Sequence, residues 1–266
     1  MKNILLLVHD DAGQEARLQA ALDITRALQG HLNCVDVALM PMLAGDYDAT
    51  GATMLLADER EREAQNRTRL EERLAREAIQ WDWINAVGDM AECITRASGL
   101  ADLIVVNRKL DAFATPDMRG ITGTIAIRSR KPLVAVPDDS RAFDTAGTAL
   151  IAWDGSAPVM RTMQACVPLL KLAASVRLFT VDDGSEAVPA EEAATYLSRH
   201  DIHASIERVD GLDRKADTLI AEACEASGAA YCLMGAYSHG RLAETLFGGV
   251  TRRLLESCRL PLVLGR

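Results

Sequence analysis

The chain alternates short, continuous apolar runs with longer segments of helical spacing. Ile4-Leu5-Leu6-Leu7-Val8 ends at His9-Asp10-Asp11. An apolar run without polar alternation fits a strand buried on both faces, as in a parallel sheet. Residues 32–39, 102–106 and 132–136 are also expected to be strands. Residues 80–87 alternate instead, Trp81, Trp83 and Asn85 against Asp82, Ile84 and Ala86, which predicts a strand nearer the sheet edge. In residues 16–28, Leu18, Ala21, Leu22, Ile24 and Leu28 recur at helical spacing, and Gly30 stops the helix. A loop is expected over 41–51. Residues 53–78 predict a long helix in which Glu59 pairs with Arg62, Glu63 with Arg67 and Glu72 with Arg76 along a solvated or dimer-facing surface. Residues 88–98 and 119–129 supply two further helices.

A polar segment, 138–145, then reads as a linker, and the pattern starts again. Strands are predicted at 148–153, 176–181, 204–209, 229–234 and 261–264, with helices at 159–172, 189–199, 213–227 and about 248–258. The stretches VGDMAECITRASGLADLIVVNR and VDGLDRKADTLIAEACEASGAAYCLMGA run parallel, so the chain contains an internal repeat. Both halves have the order β-α-β-α-β-α-β-α-β. Strand–helix alternation implies right-handed crossovers and a parallel sheet in each half. The expected fold class is α/β: two tandem doubly wound, five-stranded parallel-sheet domains, Rossmann-like, over residues 1–140 and 146–266. In such sheets ligands bind beyond the carboxyl ends of the strands.

Composition narrows the partners. The 266 residues are 49% apolar, but only 4% aromatic, so the core must come from Leu, Val, Ile and Ala. A net charge of −9 argues against a non-specific nucleic-acid binder and against docking on anionic lipid. The first apolar run is too short for a signal segment, and no run approaches the roughly 18 residues of a membrane span. Cys34, Cys93, Cys166, Cys224, Cys232 and Cys258 form no C-x-x-C pair. They are expected to be buried free thiols in a reducing cytoplasm.

Residues 229–266 hold the best candidate site. A strand ends at Gly235, a loop with Ser238 and Gly240 follows, and Gly248-Gly249-Val250-Thr251 opens a helix. Glycines let backbone N–H groups approach a phosphate, and a helix N-terminus adds roughly half a positive charge. Asp154, after the first strand of this half, and Val181, at the end of the second, converge on the same crevice. Two plainer readings stand beside this one. The glycines can simply turn the chain against a helix, and Asp154-Gly155-Ser156 can be a helix-capping turn. His239 reads as a solvated loop side chain, and Trp153 and Tyr237 as packing. His200 and His203 have H-x-x-H spacing but straddle a helix end with no evident third ligand, so no metal site is expected there. Gly155-Ser156 lacks a G-x-S-x-G frame, and no G-x-x-x-x-G-K-(S/T) occurs, so no catalytic residue is expected.

These features resemble a tandem member of the universal stress protein A family, with an adenine nucleotide alpha hydrolase-like fold. Nucleotide-binding members have an Asp at the end of the first strand, here Asp154 in AWDGS. They use a backbone contact at the end of the second, here about Val181. Their phosphate loop has the form G-x-x-G-(nine residues)-G-(S/T). On this chain those positions are Gly235, Ser238, Gly248 and Gly249, so two of the four depart from the pattern. Gly240 lies two residues late, and Thr251 supplies a hydroxyl only with a register shift.

In the first half Asp10 or Asp11 follows the first strand, but Asn107-Arg108-Lys109-Leu110-Asp111 brings no glycine. Gly120 and Thr122 there correspond to Gly249 and Thr251. The resemblance implies a degenerate first site. It also implies two halves paired as single-domain members pair in a dimer, with further homodimerisation open. The expected ligand is ATP or a related adenine nucleotide with Mg²⁺, in a cytoplasmic stress-response role. The alternatives are a member acting through protein contacts alone and a weak ATPase.

Overall fold

A computed structural model describes residues 1–39, 49–108, 118–182, 184, 186–211, 214–236 and 249–266. The first half runs β1 (Asn3–Val8), α1 (Gln14–Ala27), β2 (His31–Leu39), α2 (Ala49–Leu74), β3 (Gln80–Gly88), α3 (Met90–Ala97), β4 (Leu103–Asn107), α4 (Met118–Arg128) and β5 (Leu133–Val136). The second runs β6 (Thr148–Ala152), α5 (Ala157–Ala165), α6 (Val167–Leu170), β7 (Ser175–Asp182), α7 (Ala190–Ser198), β8 (Ala204–Asp210), α8 (Ala216–Ala226), β9 (Ala229–Gly235), α9 (Gly249–Ser257) and β10 (Leu262–Gly265).

The strands form one ten-stranded sheet in the order β3-β2-β1-β4-β5-β10-β9-β6-β7-β8. Each half is parallel and has the same 3-2-1-4-5 order. The halves join where β5 meets β10 antiparallel, Val134 opposite Val263. Both are four-residue strands, Leu133–Val136 and Leu262–Gly265, and both are buried along their whole length. Each would otherwise be an apolar sheet edge, and pairing them removes two aggregation-prone edges at once. The outermost strands β3 and β8 alternate half-buried and exposed positions; in β3 the expected alternation holds from Trp81 to Ile84 and then shifts, with Asn85 exposed and Ala86 half-buried.

The core has two layers because successive strand side chains point to opposite faces. Ile4, Leu6 and Val8 join Ile151, Leu178 and Val263 on the face covered by α1 and α5. Leu5 and Leu7 join Leu150 and Leu264 on the face covered by α3, α8 and α9. Each layer crosses from one half to the other. The segment between β5 and β6 takes part in this packing. Phe143 is buried and stacks on Tyr231 of β9 at 5.1 Å between ring centroids. Its amide donates to Asp23 of α1 at 3.0 Å. A segment that reads as a polar linker is thus anchored to both halves.

Two local expectations need correction. The helix predicted at 159–172 is two pieces, with Cys166 between them out of helical geometry. Pro168 explains the break, since its ring lacks an N–H and clashes with the preceding turn. Glu63 does not pair outward with Arg67. Arg67 bonds Glu71 at 2.7 Å and lies over the Trp83 ring, while Glu63 turns inward and is buried. Arg62 does pair with Glu59, at 2.9 Å. Asp89 caps α3, accepting from the Glu92 amide at 2.8 Å. All six cysteines are free and buried, and burial pushes the Cys34 and Cys166 thiols up to about 12. Among the described residues no helix is long and apolar enough to cross a membrane.

Candidate functional site

The place expected for a ligand in the second half is at the carboxyl ends of β6, β7 and β9. The last register pair between β6 and β7 is Ala152 with Phe179, so Asp154 and Val181 follow two residues later at neighbouring strand ends. Asp154 Oδ1 accepts the Ser156 amide at 3.0 Å, a turn that leads directly into α5. Its carboxylate has no cationic partner among the described residues. Gly155 has φ +67°, and a Cβ there would stand 2.3 Å from the Val188 nitrogen. The segment after β7 therefore packs against this turn, and the Trp153 indole donates to the Val188 carbonyl at 2.8 Å. That contact makes Trp153 a packing residue, as its sequence context suggests.

Gly235 closes β9 opposite Gly265. A Cβ on Gly235 would stand 2.7 Å from the Val159 nitrogen, so this glycine lets the first turn of α5 press onto the sheet. Gly249 is the first residue of α9 and is exposed. Among the described residues, the atoms nearest a Cβ there are those of the Arg253 guanidinium, the closest at 3.1 Å. Arg253 is held by Asp217 of α8 at 2.7 Å, which fixes a cation beside the N-terminus of α9. Thr251 is 4% exposed, within the first turn of α9. Ser238, Gly240 and Gly248, like Tyr237 and His239, lie outside the described residues.

The two glycines therefore differ. Gly235→Ala is expected to cost about 2 kcal/mol, because backbone atoms must move to admit the methyl group. Gly249→Ala is expected to stay within about 0.5 kcal/mol of the parent, because only a flexible side-chain tip must shift. Urea unfolding of both variants checks this, and equal effects would contradict it.

The first half builds the matching place differently. Asp11 Oδ1 accepts the Gly13 amide at 2.8 Å just before α1, as Asp154 does with Ser156 before α5. By this turn into the helix Asp11, rather than Asp10, matches Asp154, although strand register alone puts His9 at that place, two residues earlier. Asp11, however, is paired with Arg17 at 2.7 Å. Arg17 is 0% exposed; it also donates to the Leu7 carbonyl (2.8 Å), the His9 carbonyl (2.6 Å) and Asn107 Oδ1 (2.9 Å). Asn107 ends β4 as Gly235 ends β9: the next amide bonds across to Val136 in one half and to Gly265 in the other. The Asn107 side chain reaches Asp138 at 3.0 Å. Where the second half has a glycine, the first has a side chain tied into a charged network. Thr122 uses its hydroxyl on the Asn107 carbonyl at 2.8 Å. Arg108 donates to the Leu254 carbonyl of α9 at 2.9 Å, so the first half caps the last turn of the helix that opens at Gly249.

A second polar cluster, which sequence reasoning missed, lies beside this network. His9 Nδ1 is 2.7 Å from Glu63 Oε1 and 3.9 Å from Glu59 Oε1. Against the opposing pull of burial, the hydrogen bond and charge of Glu63 raise the His9 pKa, and His9 in turn lowers that of Glu63. Burial, then the adjoining Glu63 carboxylate, pushes Asp36 up to about 7. The signal for this cluster was the spacing of Glu59, Glu63, Asn66, Leu70 and Leu74, one face of α2 that continues into buried leucines. By contrast, the His200 ring lies tilted against Tyr196, 4.8 Å between ring centroids, and His203 is exposed.

No protein-family model matches the sequence, and no curated protein does. Solved structures do match it. A universal stress protein from Archaeoglobus fulgidus superposes with TM-score 0.78 at 14% identity, covering 99% of this chain and 96% of that one. A putative universal stress protein from Pseudomonas aeruginosa gives TM-score 0.60 at 17% identity, covering 100% and 93%. A functionally unknown protein from Pseudomonas aeruginosa gives TM-score 0.61 at 16% identity, covering 100% and 92%. From end to end, the chain is universal stress protein-like in fold.

Proposed function

We propose that the second half binds ATP or a related adenine nucleotide, and that the protein serves as a cytoplasmic stress-response sensor or regulator. One observation carries the reading. Asp154 is free of cationic partners among the described residues, whereas its counterpart Asp11 is neutralised by the buried Arg17. A free carboxylate at a strand end can accept hydrogen bonds from a ribose or an adenine amino group. Arg253, beside the first residue of α9, suits a phosphate, and the helix N-terminus adds to its field. Mg²⁺ would arrive on the nucleotide phosphates. The first half does not bind nucleotide in this reading; its crevice is closed by its own side chains.

Calorimetric titration of the whole protein with ATP and Mg²⁺ tests this. Saturable binding is expected, with Arg253→Ala weakening it about tenfold. Gly249→Ser, which supplies the hydroxyl of the family pattern, is expected to strengthen it. The absence of saturable binding up to millimolar nucleotide would remove the proposal. The second reading, action through protein contacts without nucleotide, draws on Gly235. Its packing against Val159 accounts for that glycine without any ligand. Partners that bind equally well to Asp154→Ala would favour it. Slow ATP hydrolysis is the weakest reading and would require phosphate release that Asp154→Ala abolishes.

A further inference from the structure

The cluster at the end of β1 has more negative charge than a folded core needs. His9, Asp36 and Glu63 are all buried, and the Glu59 side chain is only 14% exposed. The candidate ligand atoms of His9, Glu59 and Glu63 lie within 4.8 Å of one another. Around a tetrahedral ion with bonds of about 2.1 Å, ligand atoms are roughly 3.4 Å apart. The separations of 2.7 and 3.9 Å from His9 Nδ1 bracket that value. Release of the Nδ1 proton, which lies toward Glu63 and the Val37 carbonyl, together with small side-chain shifts would bring all three onto one ion.

Asp36 supplies an independent sign. It is 6% exposed and lies against the Glu63 carboxylate, yet its Oδ1 has no hydrogen-bond partner. A buried oxygen left unpaired costs free energy, and a cation at this place would satisfy it. Charge points the same way. Glu59 already pairs with Arg62 at 2.9 Å, but the buried Glu63 and Asp36 carboxylates share a single imidazole, and the core arginine Arg17 is committed to Asp11. Burying carboxylates without matching positive charge is unfavourable, and a divalent ion corrects the balance.

The surroundings orient these groups. Glu63 Oε1 accepts the Asp10 amide at 3.1 Å, and Oε2 accepts from Asn66 at 3.2 Å. Outer contacts of this kind commonly fix metal-binding carboxylates. By strand register the second half has Thr180, a buried hydroxyl, where the first half has the Asp36 carboxylate, so the charge at this place belongs to the first half alone.

We propose that His9, Glu59 and Glu63 bind one divalent first-row transition-metal ion, with Asp36 completing the set. One imidazole with carboxylate oxygens suits Zn²⁺ or Fe²⁺ better than thiolate-seeking ions. The site is distinct from the nucleotide crevice and does not depend on it.

The test uses the full chain, stripped with a chelator and titrated with Zn²⁺. One equivalent is expected to bind, and Glu59→Gln and Glu63→Gln each to weaken binding at least tenfold. Co²⁺ in place of Zn²⁺ is expected to give the intense visible bands of a tetrahedral site, and Glu59→Gln to abolish them. Glu59 is the least buried ligand, so circular dichroism of that variant should match the parent and keep the result interpretable. His203→Gln removes the exposed H-x-x-H alternative and is expected to leave binding intact. No stoichiometric binding, unchanged binding in Glu59→Gln, or loss of binding in His203→Gln would each overturn the proposal.

Discussion

Replacing Arg17 by Met is expected to lower stability by about 4 kcal/mol, and Tm by roughly 10 °C. The side chain is fully buried and donates to two backbone carbonyls, one amide oxygen and one carboxylate. Methionine fills much of the same volume but donates nothing. Asp11 would then be a buried carboxylate without its cation, and the Leu7 and His9 carbonyls would lose a donor. Arg17→Lys is expected to rescue only part of the loss, since a single ammonium cannot reproduce the planar fork. Thermal unfolding followed by circular dichroism measures both variants. A shift of less than about 2 °C for Arg17→Met would mean that the network contributes little.

The second large effect is expected at Phe143. Its ring stacks on Tyr231 and its amide bonds Asp23, so one residue contacts the second half through its side chain and the first through its backbone. Phe143→Ala leaves a cavity at that junction and is expected to cost about 4 kcal/mol in urea unfolding. The Tyr231 hydroxyl is already buried without a partner, so the loosened site gains no compensating hydrogen bond from protein. A loss below about 1 kcal/mol would show that the segment is a passive tether.

Element order and strand burial were legible in the sequence because they rest on periodicity. Runs such as Ile4 to Val8 proved to be central strands, and the alternation around Trp81 and Trp83 proved to be an edge. The 3-2-1-4-5 strand order of each half was not legible, since other parallel orders satisfy the same right-handed crossover rule. The antiparallel join of β5 to β10 was not legible, since an apolar four-residue strand looks the same whichever neighbour it gains. The break at Cys166 was legible in principle, through Pro168. The inward turn of Glu63 was hidden by a local rule: Arg67 four residues on made a surface pair plausible, and only the His9 loop, brought in by the fold, pulls the carboxylate inside.

At the candidate site the sequence located Asp154, Gly235 and Gly249 but could not assign their separate roles. Spacing marks where a glycine falls, not whether a ligand or a packed backbone requires it. Gly235 has the Val159 backbone against it, whereas the described atoms nearest Gly249 belong to the end of the Arg253 side chain. The difference between the halves also lay partly beyond reading. The missing glycine at Asn107 was visible in the sequence. The use of Arg17, six residues past Asp11 and one helical turn into α1, to neutralise that carboxylate emerges only from the packing.

The central claim is that one half binds nucleotide and the other is closed to it. Hydrogen–deuterium exchange of the full chain, with and without ATP and Mg²⁺, tests it most directly. The account predicts slowed exchange at residues 154–156 and at the start of α9, near 249–253, with residues 9–13 and 107–108 unchanged. Protection of the first-half residues, or none in either half at millimolar nucleotide, would contradict it.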